Sequence, residues 1–348
     1  MKRIKGKIHF FISKILHKIW FSKDYSMALV ILKAFALLHY FILKFKKQEK
    51  KSLLEPFIIC VGNITVGGSG KTPCIISLYN ALESSGYNVA LMTRGYVPYG
   101  KTIKDIIKIR KGEQNNYDVN IVGDEALLLS SVATTYISSN RLQAAEIAAN
   151  DGFGIVLMDD GLQNSKLESD YKICVFDSEY GVGNGYLIPA GPLREKFEDR
   201  VVDATIVVMR SEVVQTKLKR LLQNIPIDKI FEASMEVKNP ELFIDKKYVC
   251  VGGIGHPEKF FDSAIKVGAN VLKTFSFPDH YQYLEDDLLE IYSYGCRVLT
   301  TAKDFKRIPE KFHQMTDVLE IELKFDSDKI IKDILEKIKE KDIKNKVS

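Results

Sequence analysis

The chain has 348 residues, 46% hydrophobic and 27% charged, with 22 Gly and 10 Pro. That length suggests about two domains with room for real cores, and the composition excludes a disordered, fibrous or low-complexity chain. Five cysteines, Cys60, Cys74, Cys174, Cys250 and Cys296, lie far apart with no CxxC pair. That spacing argues against a zinc site or a disulfide framework and fits a reducing compartment.

The net charge of +5 is unevenly placed. Residues 1–51 carry 12 Lys and Arg3 against Asp24 and Glu49, a net of +11, so the remaining 297 residues carry −6. A basic body that would bind nucleic acid is therefore not expected. The charge points instead to a membrane surface bearing anionic lipids.

In chain order, 8–21 (IHFFISKILHKIWF) and 25–43 (YSMALVILKAFALLHYFIL) come first, both apolar. The second would be about 29 Å long as a helix, close to the ~30 Å hydrocarbon core of a bilayer. Lys33 near its centre costs roughly 2.5–3.5 kcal/mol in a spanning helix. Lys2, Arg3, Lys5 and Lys7 precede it, and Lys44, Lys46, Lys47, Lys50 and Lys51 follow. A span would carry one of these clusters across the membrane. Lying in the interface avoids that, with Trp20, Tyr25 and Tyr40 at headgroup level. Residues 1–50 are thus expected to be a membrane-associated helical segment, the plainer alternative being amphipathic helices packed on the body. A secretory signal fits less well, because the apolar stretch begins late and no small-residue cleavage pattern follows.

The body predicts strands at 57–61 (FIICV), 88–92 (NVALM), 154–158 (GIVLM), 172–176 (KICVF) and 204–208 (ATIVV), with a helix over 72–84. Residues 101–120 read as an excursion holding a hairpin. Short β-rich runs alternating with helical stretches indicate an α/β fold with a mostly parallel sheet. One unit is expected over 51–210 and a second α/β unit over 211–348. The second contains a strand at 247–251 (KYVCV) and Gly252-Gly253-Ile254-Gly255. That turn lacks the full G-x-G-x-x-G spacing and reads as a tight turn before a helix. Residues 328–345 predict a terminal amphipathic helix with a solvated charged face.

Residues 65–72, TVGGSGKT, match the phosphate-loop pattern G-x-x-x-x-G-K-[ST] except at Thr65. They follow a predicted strand and precede a predicted helix, the context that pattern requires. Thr65, Val66, Gly67, Gly68, Ser69 and Gly70 would turn backbone N–H groups inward around phosphate oxygens. The helix N-terminus points at the same place. Lys71 reaches the β- and γ-phosphates and Thr72 offers its hydroxyl to Mg²⁺. Pro73 needs no donor there. Mg²⁺ also needs a carboxylate. GIVLMDD delivers Asp159 and Asp160 at a strand's carboxyl end, where ligands of open α/β sheets bind. Asp159 is the better candidate for the metal, and Asp160 serves either the metal or the acceptor.

These residues resemble the tetraacyldisaccharide 4'-kinase family, the lipid A 4'-kinases of Gram-negative bacteria. VGNITVGGSGKTP (61–73), TRGY (93–96), VGDEALLL (122–129), SSNR (138–141), DDGLQN (159–164), GNGYLIPAGPLRE (183–195), FPDHYQY (277–283) and TTAKDFKRI (300–308) resemble that family's blocks in order. Leu162 and Asn164 depart from its usual Phe and His, and TRGY continues as VPYG rather than directly with Gly. The resemblance implies a P-loop NTPase-like sheet with a second α/β unit facing a cleft and a membrane-associated N-terminal helix. It implies transfer of the γ-phosphate of ATP, with Mg²⁺, to the 4'-hydroxyl of a tetraacyldisaccharide 1-phosphate, forming lipid IVA at the cytoplasmic face of the bacterial inner membrane.

It further implies that Asp124 accepts the hydroxyl proton, with His280 as its partner from the second unit; nothing in the spacing brings the two together. Taken alone, Asp124 reads as a helix N-cap and His280 as a loop or core histidine. Glu125 would assist at the metal or acceptor, and Arg141 would stabilise phosphate charge. Arg94, Gln163, Arg194 and Glu195 are candidates for the lipid headgroup or cleft closure. Lys303 and Asp304 are left between a structural role and nucleotide contact. Two rivals remain: a membrane-bound P-loop switch ATPase, whose loop carries a Lys where Val66 stands, and a soluble small-molecule kinase.

Overall fold

The computed structural model describes residues 15–16, 18–21, 27–45, 50–95, 103, 105–199, 201–210 and 212–347. Expectations that fall on Lys2, Arg3, Lys5, Lys7, Tyr25, Lys46, Lys47 and Tyr96 lie outside the described residues.

Helix α1 (Met27–Phe45) precedes the first strand. The chain then lays down β1 (Phe57–Gly62), α2 (Lys71–Ser84), β2 (Val89–Thr93), β3 (Ile107–Ile109), α3 (Asp124–Ser130), β4 (Thr135–Ile137), α4 (Arg141–Asn150), β5 (Ile155–Asp159), β6 (Tyr171–Asp177), β7 (Ala204–Met209), α5 (Thr216–Leu222) and β8 (Ile230–Val237). It continues with β9 (Lys247–Gly252), α6 (Pro257–Lys266), β10 (Asn270–Ser276), α7 (Glu285–Tyr292), β11 (Arg297–Thr301), α8 (Ala302–Phe305), β12 (Thr316–Leu319), β13 (Ile321–Phe325) and α9 (Lys329–Val347).

Strand β1 lies inside a nine-stranded sheet of order β13-β8-β7-β6-β1-β5-β2-β4-β3. Every residue of β1 is buried, as in a parallel strand covered on both faces. Side chains alternate across a strand, and here they feed two cores. Phe57, Ile59 and Val61 pack with Cys74, Ile75, Leu78 and Leu82 of α2. Ile58 and Cys60 join Ala144, Ala145 and Ala148 of α4, with Leu29 and Ala36 of α1. β1 pairs in parallel with both β5 and β6, in the registers Val61↔Asp159 and Gly62↔Cys174. Their carboxyl ends therefore meet at one switch point of the sheet.

Strands β10-β9-β11-β12 make a second, all-parallel sheet. The boundary expected at 210 differs from this sheet membership. β8 lies beyond it yet extends the larger sheet beside β7, and β13 closes that edge antiparallel to β8. Ile330, Ile334 and Ile338 of α9 then enter the same core as α2. The smaller sheet is thus an insertion between two strands of the larger one, which a split by sequence position does not reveal.

Among the described residues of 101–120 the expected hairpin is not present. β3 pairs with the distant β4 instead. Further on, Asp118 accepts the Asn120 N–H at 2.8 Å and caps a single helical turn at Val119–Val122.

Helix α1 packs on the body along one side, as the plainer reading expects, and leaves an apolar face uncovered. Leu29 and Ala36 are buried on the body, while Val30, Ile31, Phe35, Leu37, Leu38, Phe41, Ile42 and Phe45 are exposed. Among the described residues no helix is long and apolar enough to cross a membrane.

Candidate active site

The loop between β1 and α2 carries the phosphate-binding pattern. Gly67 and Gly70 take φ of 110° and 93°, a left-handed backbone that glycine adopts without a Cβ clash. Thr65 has no positive φ; it forms a β-bridge to Leu193, and the next residue, Val66, donates its N–H to Pro192 O at 2.8 Å. That anchoring explains why no glycine is needed at the loop's first position. Around Gly68 an added Cβ would meet nothing within 4 Å. Ser69 is buried, and its Oγ has no hydrogen-bond partner. Lys71 opens α2 and donates to Asn63 Oδ1 at 3.1 Å, with Asp160 Oδ1 3.8 Å away. Pro73 falls among the first four residues of α2, whose N–H groups have no partner inside the helix.

Asp159 ends β5 fully buried, and neither carboxylate oxygen has a hydrogen-bond partner. Burial, then the charges of Glu125 and Asp160, push its pKa up to about 8. Asp160 is committed elsewhere. Arg194 Nη1 donates to its two oxygens at 3.0 and 2.8 Å. Burial would raise the Asp160 pKa, but Lys71 and Arg194 outweigh it and hold the group below its usual value.

The Thr72 hydroxyl donates to Glu125 Oε1 at 3.0 Å. An orphaned buried carboxylate, a hydroxyl and a second carboxylate fit a hard divalent cation. Among the described residues no three His, Cys, Asp or Glu side chains form a ready cage. This suits Mg²⁺, which takes one or two carboxylates together with phosphate oxygens and water.

Asp124 opens α3, and the N-cap of that helix is Gly123, so capping is not its task. Its carboxylate meets His280 from the loop beyond β10, with Nδ1 3.0 and 3.1 Å from the two oxygens. Arg307 Nε lies 3.2 Å from Oδ2. Burial would raise the Asp124 pKa. The His280 hydrogen bond and charge, then Arg307 and Lys303, outweigh it and hold the carboxyl at about 2. His280 is raised in turn: burial opposes its charge, and the bond to Asp124 with the charge of Asp279 prevails.

Arg141 opens α4 buried rather than at the surface. Burial lowers its pKa against the opposing charges of Asp159 and Asp160, and its Nη1 has no hydrogen-bond partner. Gln163 donates to Asn63 O at 3.0 Å and to Glu195 Oε1 at 2.5 Å. Gln163, Arg194 and Glu195 therefore form one cluster around the phosphate loop. Arg94 stands exposed beyond the end of β2. The two departures after Asp160 have local roles. Leu162 fills the space beside Gly62, where a Cβ would lie 2.6 Å from its Cγ, and Asn164 donates to Leu167 O at 3.0 Å.

Sequence reasoning missed a clasp behind the loop. Lys259 of α6 donates to Gly68 O at 3.1 Å and to Asp177 Oδ2 at 2.7 Å, and Arg210 Nε also donates to that oxygen at 2.7 Å. The signal for Asp177 was present, because it ends β6 as Asp159 ends β5. The Gly252–Gly255 turn does precede a helix, α6. It also abuts the loop, so that a Cβ on Gly255 would lie 3.1 Å from Gly68 N.

A phosphate loop at the switch point of a parallel sheet, with a free buried carboxylate beside it and an Asp–His pair that joins the two sheets, defines a P-loop phosphotransferase. The family model described as tetraacyldisaccharide-1-P 4'-kinase matches residues 28–339. The chain belongs to that family and is a kinase. The tetraacyldisaccharide 4'-kinase of Parvibaculum lavamentivorans is 37% identical over 258 residues, covering 72% of this chain and 73% of its own. That of Brucella anthropi is 32% identical over 307 residues, covering 85% and 87%. The fold matches the crystal structure of LpxK from Aquifex aeolicus in complex with ATP with a TM-score of 0.70 at 23% identity, over 90% of this chain and 99% of that one.

Proposed function

We propose that the protein transfers the γ-phosphoryl group of ATP to the 4'-hydroxyl of a tetraacyldisaccharide 1-phosphate, a lipid A precursor, at the cytoplasmic face of the bacterial inner membrane. The observation that carries this reading is the Asp124–His280 pair, next in sequence to the Glu125 that holds Thr72 of the phosphate loop, in a chain of this family.

The loop amides of residues 67–70, with Lys71, hold the phosphates, the Val66 N–H being taken by Pro192 O, and α2 aims its N-terminus at them. Asp159, Thr72 and Glu125 would hold Mg²⁺, which when bound neutralises charge on the phosphate oxygens. Asp124 accepts a hydrogen bond from the acceptor hydroxyl and takes its proton as the phosphoryl group arrives. A carboxylate offers about four acceptor sites; the Glu125 N–H and His280 occupy some of them, and Arg307 adds its charge from 3.2 Å. His280 fixes the carboxylate's orientation. Arg141 is a buried fork donor beside Asp159 and Asp160, suited to stabilising phosphoryl charge. Gln163, Arg194 and Glu195 line the approach for the sugar headgroup.

An acylated sugar stays in the bilayer, so its kinase must reach it there. The exposed apolar face of α1 supports that contact. A groove of about 530 Å³ between α1 and the body adds to it, with Ile64, Leu193 and Tyr40 on its wall and Lys196, Lys217 and Arg220 beside them. Such a mixture suits acyl chains below anionic headgroups.

The test is transfer of radiolabelled γ-phosphate to purified tetraacyldisaccharide 1-phosphate in detergent, with free sugar and no acceptor as controls. Label in the lipid alone is expected. A chain that hydrolyses ATP equally without acceptor is a switch ATPase, and that result would sink the reading.

A further inference from the structure

Lys303 is the second residue of the one-turn helix α8, which follows β11 of the smaller sheet. Its mount is fixed by the next residue. Asp304 is fully buried, and its Oδ1 accepts the Gly253 N–H at 3.0 Å, the Tyr283 hydroxyl at 2.7 Å and Arg307 Nη2 at 2.7 Å. Its Oδ2 accepts the Thr301 hydroxyl at 2.7 Å, and Thr301 Oγ1 caps the turn through the Asp304 N–H at 3.1 Å. A satisfied buried network of this kind rigidifies what it carries.

From that mount Lys303 crosses to the larger sheet. Its Nζ lies 2.6 Å from Glu125 Oε1, the same oxygen that accepts the Thr72 hydroxyl. Asp124 and Asp279 also act on its charge. A cation therefore already sits on the carboxylate oxygen that is assigned to the metal and that holds the Thr72 hydroxyl. Two cations on one carboxylate oxygen repel each other, so occupancy by one weakens the other.

We infer that Lys303 is a positioning residue that stands in for the metal. It holds Glu125 and Thr72 in place in the nucleotide-free protein and yields Glu125 when Mg²⁺ and nucleotide arrive. The displaced ammonium, still on its anchored helix, then serves as a fixed cation for the transferring phosphoryl group. The inference rests on the reading of Asp159, Thr72 and Glu125 as the metal's side of the site.

The experiment uses the full chain in detergent as wild type, Lys303→Met, Lys303→Gln and Lys303→Arg. Mn²⁺ is titrated without nucleotide, and free Mn²⁺ is read by electron paramagnetic resonance. Removing a neighbouring like charge should tighten Mn²⁺ binding by Lys303→Met and Lys303→Gln on the order of tenfold. Lys303→Arg should stay near wild type. In steady state, kcat should fall in the neutral variants more than KM for ATP changes, with partial recovery in Lys303→Arg. Lys303→Gln keeps a donor to Glu125 and carries the same expectation if Lys303→Met fails to melt cooperatively. Unchanged or weaker Mn²⁺ binding in folded neutral variants would make Lys303 a strut and overturn the inference alone, provided wild type binds ATP in a Mg²⁺-dependent way. A wild type with no Mg²⁺-dependent ATP binding would overturn the metal reading beneath it as well.

Discussion

Asp124 and His280, 156 positions apart in sequence, meet with Nδ1 3.0 Å from Oδ1, one opening α3 and the other in the loop that follows β10 of the smaller sheet. His280 is held there by its own backbone. It takes φ of 57°, a conformation uncommon for a side-chain-bearing residue, and donates its N–H to Gly253 O at 3.1 Å. The pair therefore couples the two sheets as well as orienting a carboxylate.

The first prediction follows from that pair. The folded pKa of His280 is raised, so its contribution to stability is full below its unfolded value near 6.5 and is lost as pH rises through the folded value. The folded pKa of Asp124 is about 2 against 3.8, so its contribution is present above 3.8 and is lost as pH falls toward 2. Asp124→Asn should thus bring the His280 titration, followed by NMR, down toward its ordinary value, and lower kcat by about 10²–10⁴ as loss of a proton acceptor does. A His280 titration that stays put in Asp124→Asn would mean the two are not an ion pair in solution.

Neighbouring glycines of the phosphate loop should separate folding from ligand binding. Gly67 has φ of 110°, and an added Cβ would lie 2.9 Å from His256 Nε2. Gly67→Ala should therefore cost about 1–3 kcal/mol of stability, read from denaturant unfolding. Gly68 faces open space, the space assigned to phosphate oxygens. Gly68→Ala should melt like wild type yet bind ATP at least tenfold more weakly. Normal ATP affinity in Gly68→Ala would place the phosphates elsewhere.

Lys71→Ala and Thr72→Ala address the charge on the transferred group. Loss of one preorganised donor at developing charge costs about 10²–10³ in kcat, and each variant should lose turnover on that scale while keeping its melting temperature. Thr72→Ser retains the hydroxyl that donates to Glu125 and should keep most of the activity. Turnover near wild type in Lys71→Ala would contradict the assigned loop.

What could be read from sequence was whatever a strand or a turn carries by itself. FIICV and GIVLM announce doubly buried parallel strands because every position is apolar, and the residues that follow each are fixed by the strand's direction. Gly67, Gly70, Lys71 and Asp159 were legible for that reason. The partners of those residues were not. Lys303 reaches Glu125, and Lys259 reaches Gly68 and Asp177, only because a smaller sheet is inserted between β8 and β13, and no local pattern encodes where an insertion folds back. The Asp124–His280 pair came from resemblance alone. β3 was misread because its partner, β4, lies beyond a helix, where alternation within 101–120 carries no information.

The last prediction concerns α1. Its body-facing stripe is buried, whereas Phe35 and Leu38 are 56% and 58% exposed and touch the solvent that a bilayer would replace. Deleting residues 1–46 would confuse two effects, because Trp20 Nε1 donates to Pro189 O at 3.0 Å and the Asn184 N–H donates to Trp20 O at 2.7 Å, so part of this segment braces the loop after β6. Substitutions on the exposed face avoid that. Phe35→Asp with Leu38→Asp leaves Leu29 and Ala36 in the core and should leave melting and ATP affinity unchanged. Binding to vesicles containing anionic lipid should fall at least tenfold, as expected when two apolar anchors are replaced by charges repelled from the surface. Transfer to acceptor in detergent should be close to wild type, and transfer to acceptor embedded in vesicles should drop in step with binding. Vesicle binding that survives both substitutions would move the membrane contact off this helix face.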